Sequence, residues 1–310
     1  MIDLAGIFPP IPTPFTESGA LNAAVLNWNF SWWSKHELRG YVVLGSNGEA
    51  VLLDCQEKLA LLQQTRAAIP PGKLLIAGTG CEATAATIAL TQQAAEAGAD
   101  VALVITPSFY RGRMTSATLI RHYIGVADAS PLPLILYNMP ACTGIDLDVA
   151  TIVTLSEHPN IVGLKDSGGN VAKLSQVYHE AESGFQLLAG SASFLLPALS
   201  VGAVGGVLAL ANIAPGICLD IFSLAVKDGD WQRAKELQAS IVDANAAVTR
   251  RWAVPALKAA MDLLGLHGGP VRAPLQPICQ AERDQLNEIL TRAGILPQEK
   301  PQSGKECVER

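Results

Sequence analysis

Short apolar runs recur along the chain, each followed by turn-forming residues and then by apolar positions at helical spacing. The runs Ile7–Ile11, Gly40–Leu44, Leu74–Ala77, Val101–Thr106, Leu134–Tyr137, Ile161–Lys165, Gln186–Ala189 and Gly206–Leu210 predict eight strands. The intervening segments Asn22–Lys35, Gln56–Ala68, Ala83–Ala97, Ser116–Ala127, Asp148–Ser156, Val171–Glu182 and Ser193–Val201 predict helices. Strands that alternate with helices imply parallel pairing through crossover connections. Eight such units in succession fit a closed barrel, typically about 250 residues long, better than an open sheet. The expected fold is therefore α/β, a (β/α)8 TIM barrel over residues 1–212. From Ile213 onward only helical spacing is found, at Asp230–Thr249, Pro255–Leu264 and Ala281–Arg292. This predicts a C-terminal helical extension over 213–297, packed on the barrel, and a polar, disordered tail over 298–310.

One stretch changes the picture if misread. Between Glu182 and Asp220 there is no Asp, Glu, Lys or Arg, and Gly202 and Gly206 stand four apart. A membrane span with a small-residue packing motif is one reading. The unbroken apolar runs fall short of the roughly 20 residues a span requires, and Gln186, Ser191, Ser193, Pro197 and Asn212 interrupt them. The stretch is read instead as buried strand, helix and strand.

Composition agrees with a large folded core: 49% of residues are hydrophobic and 16% charged. A formal net charge of −6 with no basic run argues against a nucleic-acid partner. The six cysteines are scattered, without a C-x-x-C pair, which reads as reduced thiols rather than a zinc or redox motif. The first residues carry no signal or transit pattern, so a cytoplasmic location is expected.

Barrel enzymes hold reactive groups at the carboxyl ends of their strands. That rule selects Ser46 and Asn47, Thr79, Thr106 and Tyr110, Tyr137, Lys165 and Ser167, Gly190 and Asn212. Lys165 stands out because it ends an apolar strand and is followed by Asp166-Ser167-Gly168-Gly169. Alternation along the strand puts Ile161, Gly163 and Lys165 on one face, with Gly163 expected to leave room beneath the lysine stem. Desolvation in an apolar barrel mouth favours the neutral form of an amine, and a neutral amine attacks a ketone to form a Schiff base. The structural alternative is an ion pair with an acid such as Asp166. Tyr137 ends the preceding strand and is suited to relay protons; alternatively it is a core tyrosine with a satisfied hydroxyl. Gly45-Ser46-Asn47-Gly48-Glu49 follows a strand directly and offers hydroxyl, amide and backbone donors for a carboxylate, or is an ordinary Asn-Gly turn.

Two other patterns carry less. Gly78-Thr79-Gly80-Cys81-Glu82-Ala83 matches a dinucleotide fingerprint, but the acid at the right distance, Asp100, precedes its strand and so faces the wrong rim. The five histidines have no metal-ligand spacing, and neither a metal nor an organic cofactor is expected.

Taken together, Gly45-Ser-Asn-Gly-Glu49, Thr106-Pro-Ser-Phe-Tyr110, Tyr137-Asn-Met-Pro140, Gly163-Leu-Lys-Asp-Ser167 and Gly205-Gly-Val-Leu208 resemble the dihydrodipicolinate synthase / N-acetylneuraminate lyase family of pyruvate-handling barrels, over nearly the whole chain. The resemblance implies that Lys165 forms the Schiff base and Tyr137 relays protons. It also implies that Ser46, Asn47, Ser167 and Gly190 contact substrate and that Leu208 lines the 2-oxo acid pocket. Tyr110 resembles a family tyrosine that reaches a neighbouring subunit's site, which implies a homotetramer.

Within the family the chain is most similar to the 4-hydroxy-2-oxoglutarate aldolases, through Ala77-Gly-Thr-Gly-Cys-Glu82, Phe109-Tyr-Arg-Gly-Arg-Met114, Ala246-Ala-Val-Thr-Arg-Arg251 and Gly268-Gly-Pro-Val-Arg-Ala-Pro274. Dihydrodipicolinate synthases usually carry an arginine two residues after the proline of Tyr-Asn-x-Pro. Here that position is Cys142, which cannot pair with a carboxylate, and their paired threonines are Ser46-Asn47. The expected activity is a class I lyase that splits 4-hydroxy-2-oxoglutarate into pyruvate and glyoxylate. Alternatives are an aldolase or dehydratase of a 3-deoxy-2-oxo sugar acid, dihydrodipicolinate synthase itself, and a non-catalytic barrel that senses 2-oxo acids.

Overall fold

The computed structural model describes residues 2–297; the expected polar tail lies outside them. Eight strands form one parallel sheet: β1 (Gly6–Phe8), β2 (Gly40–Val43), β3 (Leu74–Gly78), β4 (Val101–Ile105), β5 (Leu134–Asn138), β6 (Ile161–Asp166), β7 (Gln186–Ala189) and β8 (Gly205–Val207). Their spatial order is β1-β8-β7-β6-β5-β4-β3-β2. The ring closes between β1 and β2, where the Ile11 N–H donates to the Val42 carbonyl (2.9 Å) and the Val42 N–H to that of Pro9 (3.0 Å). The chain is a TIM barrel.

The strands are nearly unbroken apolar runs because both of their faces are buried. Inward-facing Phe8, Val42, Ile76, Leu103, Ile135, Leu188 and Val207 form a small core within the ring. A larger core fills the space between the ring and its helices. Helices begin where the sequence offers a cap. Asp54 accepts from the Glu57 N–H at the start of Cys55–Ala68, and Thr115, Asp148 and Asn170 do the same for the helices that follow them.

Three departures from the sequence-based expectation have physical causes. Strand β1 stops at Phe8 rather than Ile11 because Pro9 and Pro10 have no N–H for the ladder, and only an isolated bridge, Pro10 to Val42, continues it. The segment expected as one helix over Asp230–Thr249 is broken at Ile241 into Trp231–Ser240, Val242–Ala246 and a π-helical turn at Ala247–Arg251. The helix Pro215–Ser223 packs against β1 and against Leu195–Ser200. It therefore occupies the place of the eighth barrel helix, although it follows residue 212.

A fourth departure bears on the mouth of the barrel. The register of β5 on β6 runs Leu134 to Ile161 and then Ile135 to Gly163, so Val162 is an extra residue. The bulge reverses the expected phase: Ile161 packs in the outer core and Val162 in the inner one. Beyond it, Leu164 faces outward, which leaves Gly163 and Lys165 on the inner side. Gly163 does not serve the lysine stem as expected. A Cβ there would collide with the Gln186 carbonyl, so the glycine permits the close approach of β7.

The stretch without charges from 183 to 219 is accounted for by β7, the helix Leu195–Ser200, β8 and the start of Pro215–Ser223. No helix among the described residues is long and apolar enough to cross a membrane.

Gly163→Ala should lower unfolding free energy by about 1–3 kcal/mol, the range for forcing an extra methyl into a packed core. Chemical denaturation checks this, and an unchanged midpoint would refute the packing role given to Gly163.

Candidate active site

Lys165 and Tyr137 are direct neighbours on β6 and β5, and both side chains are almost fully buried, at 3% exposure each. The Lys165 Nζ lies 3.9 Å from the centroid of the Tyr137 ring. The Tyr137 hydroxyl lies 3.2 Å from Ser46 Oγ. Lysine, phenol and serine hydroxyl thus form a chain across three strand ends.

Among the described residues, Lys165 forms no ion pair. The pairing with Asp166 that its sequence position suggested does not occur. Successive residues on a strand point to opposite sides, and the Asp166 carboxylate is turned into a separate network. There it accepts from Asn138 Nδ2 (2.6 Å) and from the Gly168 and Gly169 N–H groups (3.0 and 3.1 Å), and it pairs with Lys173 Nζ (3.2 Å). Lys173 also pairs with Asp146, to which Asn138 donates a second bond of 2.7 Å. Asp166 is fully buried, so this set of donors is what makes its charge tolerable.

Ser46, Asn47 and Gly48 form a single 3-10 turn between two residues with left-handed backbone, Leu44 (φ 61°) and Glu49 (φ 54°). Ser46 is exposed at the mouth and Asn47 half-buried. At the end of β7, the Gly190 N–H donates to the Asp166 carbonyl (2.7 Å). A Cβ on Gly190 would collide with Ser167 Oγ, so glycine at this position is what allows the half-buried Ser167 hydroxyl to sit there. Leu208 is fully buried and packs in the core between the ring and the helices. Tyr110 is 69% exposed and stacks edge-on against Phe109 at 5.0 Å. Within this chain it is not brought to the Lys165–Tyr137 pair.

Other strand-end candidates are drawn into packing. Thr79 and Thr91 share a buried hydroxyl bond of 2.8 Å, and Asn212 Nδ2 donates to the Pro10 and Ala209 carbonyls. The Gly78–Ala83 run is a packing corner rather than a phosphate cradle. A Cβ on Gly80 would lie 2.6 Å from the Ile105 nitrogen, and Glu82 accepts from the N–H groups of Ser108 and Phe109 (2.9 and 2.8 Å). Among the described residues no three His, Cys, Asp or Glu side chains are grouped to hold a metal ion.

Two rim residues gain meaning from the structure. Cys142 lies in the helical turn Pro140–Thr143 that follows β5. Burial pushes its thiol above the ordinary value, and the positive charge of a Lys165 ammonium pulls it part of the way back. Arg111 was not singled out from sequence. Its guanidinium lies against Gly144, two residues beyond Cys142, and a Cβ on Gly144 would collide with it. Arg111 is exposed and, among the described residues, has no acidic partner. An arginine in a run between a strand and the next helix cap carried the only local signal for it.

Comparison with known proteins accords with this architecture. Residues 3–293 match the Dihydrodipicolinate synthetase family. The chain is 35% identical over 294 residues to a 4-hydroxy-tetrahydrodipicolinate synthase of Methanothrix thermoacetophila, covering 94% of this chain and 97% of that one. It is 35% identical over 291 residues to a probable mitochondrial 4-hydroxy-2-oxoglutarate aldolase of Emericella nidulans, covering 92% and 94%. Among solved structures, a dihydrodipicolinate synthase of Bacillus anthracis superposes with a TM-score of 0.90 at 28% identity, covering 96% of this chain and all of the other. A prophage protein of the same family from E. coli K12, solved in complex with pyruvate, gives 0.89 at 30% identity, covering 94% and 99%. The chain therefore belongs to the dihydrodipicolinate synthetase family, whose members are lyases that make or break a carbon–carbon bond through a Schiff base.

Proposed function

We propose that this chain cleaves 4-hydroxy-2-oxoglutarate to pyruvate and glyoxylate, with Lys165 as the nucleophile. The observation that carries the reading is a buried amine without a carboxylate partner among the described residues, set over the ring of a tyrosine whose hydroxyl meets Ser46. The Lys165 amine adds to the C2 ketone, Tyr137 gives its phenolic proton to the departing hydroxyl, and loss of water leaves an iminium and a Tyr137 phenolate. Tyr137 accepts the proton of the C4 hydroxyl as the C3–C4 bond breaks. The bonding pair flows into the iminium to form an enamine, and glyoxylate leaves with C4 as its aldehyde carbon. Protonation at C3 and hydrolysis of the iminium release pyruvate and restore the amine. Neither a metal nor an organic cofactor enters this sequence.

Ser46 and Asn47 take the C1 carboxylate through hydroxyl, amide and turn N–H groups. Ser167 orients the C4 hydroxyl, and the backbone at Gly190 and Leu208 closes the β7–β8 side of the pocket. The second carboxylate of a five-carbon diacid needs a cation at the rim. Cys142 supplies none, whereas Arg111, which lies against Gly144 and has no acidic partner among the described residues, offers a guanidinium suited to hold a carboxylate by two hydrogen bonds. In its assembled form the enzyme is a homotetramer, in which the exposed Tyr110 meets a neighbouring subunit. The name of the Methanothrix relative favours a second reading, condensation of pyruvate with aspartate semialdehyde. The neutral Cys142 thiol at the rim weighs against it.

Borohydride added to a mixture of protein and pyruvate should fix a covalent adduct on Lys165, visible as a mass increase on the peptide that contains it. Lys165→Arg should lose both the adduct and turnover; an adduct that persists in this variant would refute the assignment. Tyr137→Phe should form the adduct but lower kcat by about 10²–10⁴, the usual contribution of a positioned proton-transfer group. Arg111→Ala should raise KM for 4-hydroxy-2-oxoglutarate about tenfold or more, as expected for a lost charged hydrogen bond, while pyruvate trapping stays unchanged. Equal effects on diacid and pyruvate would remove Arg111 from the site. Aspartate semialdehyde consumption faster than glyoxylate release would establish the second reading instead.

A further inference from the structure

The turn that carries Ser46 and Asn47 ends in a side chain the reaction does not use. Glu49 has a left-handed backbone (φ 54°), and its N–H donates to the Ser46 carbonyl at 3.1 Å. Its carboxylate points away from the mouth into the protein, where it is 1% exposed. There Oε1 lies 2.6 Å from Lys258 Nζ, which is equally buried, and Oε2 accepts from the Arg272 N–H at 2.8 Å. Lys258 belongs to the helix Ala253–Leu263 and also donates to the Pro270 carbonyl at 2.7 Å. The Gly268 Cα approaches the Lys258 carbonyl so closely that a Cβ would collide with it, which seats the 268–272 segment on this helix.

Arg272 carries the connection on. It holds Glu57 through two bonds of 2.6 Å and the Leu52 carbonyl at 2.9 Å, and it also donates to the Gly19 carbonyl. Phe15 lies under both cations, 4.5 Å from Lys258 Nζ and 4.2 Å from Arg272 Cζ. Thus both ends of the short segment 49–57 that follows the turn are tied to residues more than 200 positions later. Burial draws the Lys258 amine below its ordinary value, and Glu49 opposes that shift.

A buried ion pair is weak as a stabiliser. Desolvation consumes most of its attraction, and apolar replacements are often as stable or more so. A carboxylate fixed at the last residue of a ligand-binding turn has a different use, because it sets the position of that turn. We infer that Glu49 and Lys258 are positioning residues, through which the C-terminal helices hold the Ser46–Asn47 turn in register with Tyr137 for the substrate's C1 carboxylate. The inference rests on the assignment of that turn to the carboxylate.

The test uses full-length Lys258→Met, Glu49→Gln and the double variant, each assayed by borohydride trapping with pyruvate, by denaturation, and by hydrogen exchange of the amides from Ser46 to Leu53. The single variants should need about tenfold more pyruvate for half-maximal trapping while the limiting extent is kept, a shift in KM without loss of the chemical step. The double variant, which removes both buried charges, should recover much of the lost stability but not the pyruvate affinity, and exchange from Ser46 to Leu53 should stay fast. Lys258→Arg, which keeps the charge, should restore part of that affinity. Stability and affinity restored together in the double variant, or a loss of stability with unchanged affinity in the singles, would reduce the pair to a structural one. If the wild-type protein forms no adduct at all, the proposed function fails. Exchange then decides the pair by itself: faster exchange from Ser46 to Leu53 upholds it, and unchanged exchange overturns it.

Discussion

An amine enclosed by a barrel of aliphatic side chains must face something, and what it faces determines its chemistry. In this chain Lys165 faces the ring of Tyr137 across the β5–β6 pairing. The negative face of an aromatic ring attracts a cation weakly compared with a buried carboxylate and withdraws no proton. The contact of the Tyr137 phenol with Ser46 connects this pair to the turn at the end of β2.

Three buried lysines differ in what the fold sets against them. Lys173 lies between Asp146 and Asp166, with Asn138 bridging the same two acids. Lys258 is paired with Glu49 and capped by the Pro270 carbonyl. Lys165 forms no ion pair among the described residues. The Lys173 network bears directly on Lys165, because it keeps the adjacent carboxylate of Asp166 turned to the other side of β6. That network satisfies the buried Asp166 carboxylate on its own side of β6, so its charge needs nothing from Lys165.

How much of this was legible before the structure depended on the range of the forces involved. Strand positions could be read because barrel strands are buried on both faces and so appear as continuous apolar runs. The positions of Lys165 and Tyr137 at strand ends followed from the same runs. The phase at Ile161 and Val162 was misread, because the bulge arises from pairing with β5 and leaves no mark within β6 itself. The role expected of Gly163 failed for a similar reason, since the atom it makes room for belongs to β7. The partner of Asp166 was hidden because Lys173 looks like any lysine near the start of a helix. The ties between Glu49, Lys258 and Arg272 had no local signature, as they join residues more than 200 apart.

The same reasoning separates what this chain shares with its family from what sets it apart. In the proposed reaction Schiff-base formation concerns only C1 to C3 of the substrate, and the groups assigned to it are the buried Lys165 and Tyr137 on β6 and β5 and the turn after β2. Nothing in that layer distinguishes one aldehyde partner from another. Discrimination must come from the rim, where the aldehyde half of the substrate lies and where a fixed charge is decisive, because a carboxylate desolvated without a partner is strongly disfavoured. In this chain the turn after β5 presents a thiol at Cys142, and a guanidinium reaches the same turn from Arg111 on the loop after β4. The cation has in effect moved from one loop to its neighbour. Under the proposed function, the second carboxylate is thereby bound from a different direction, and the difference in substrate resides in the rim loops.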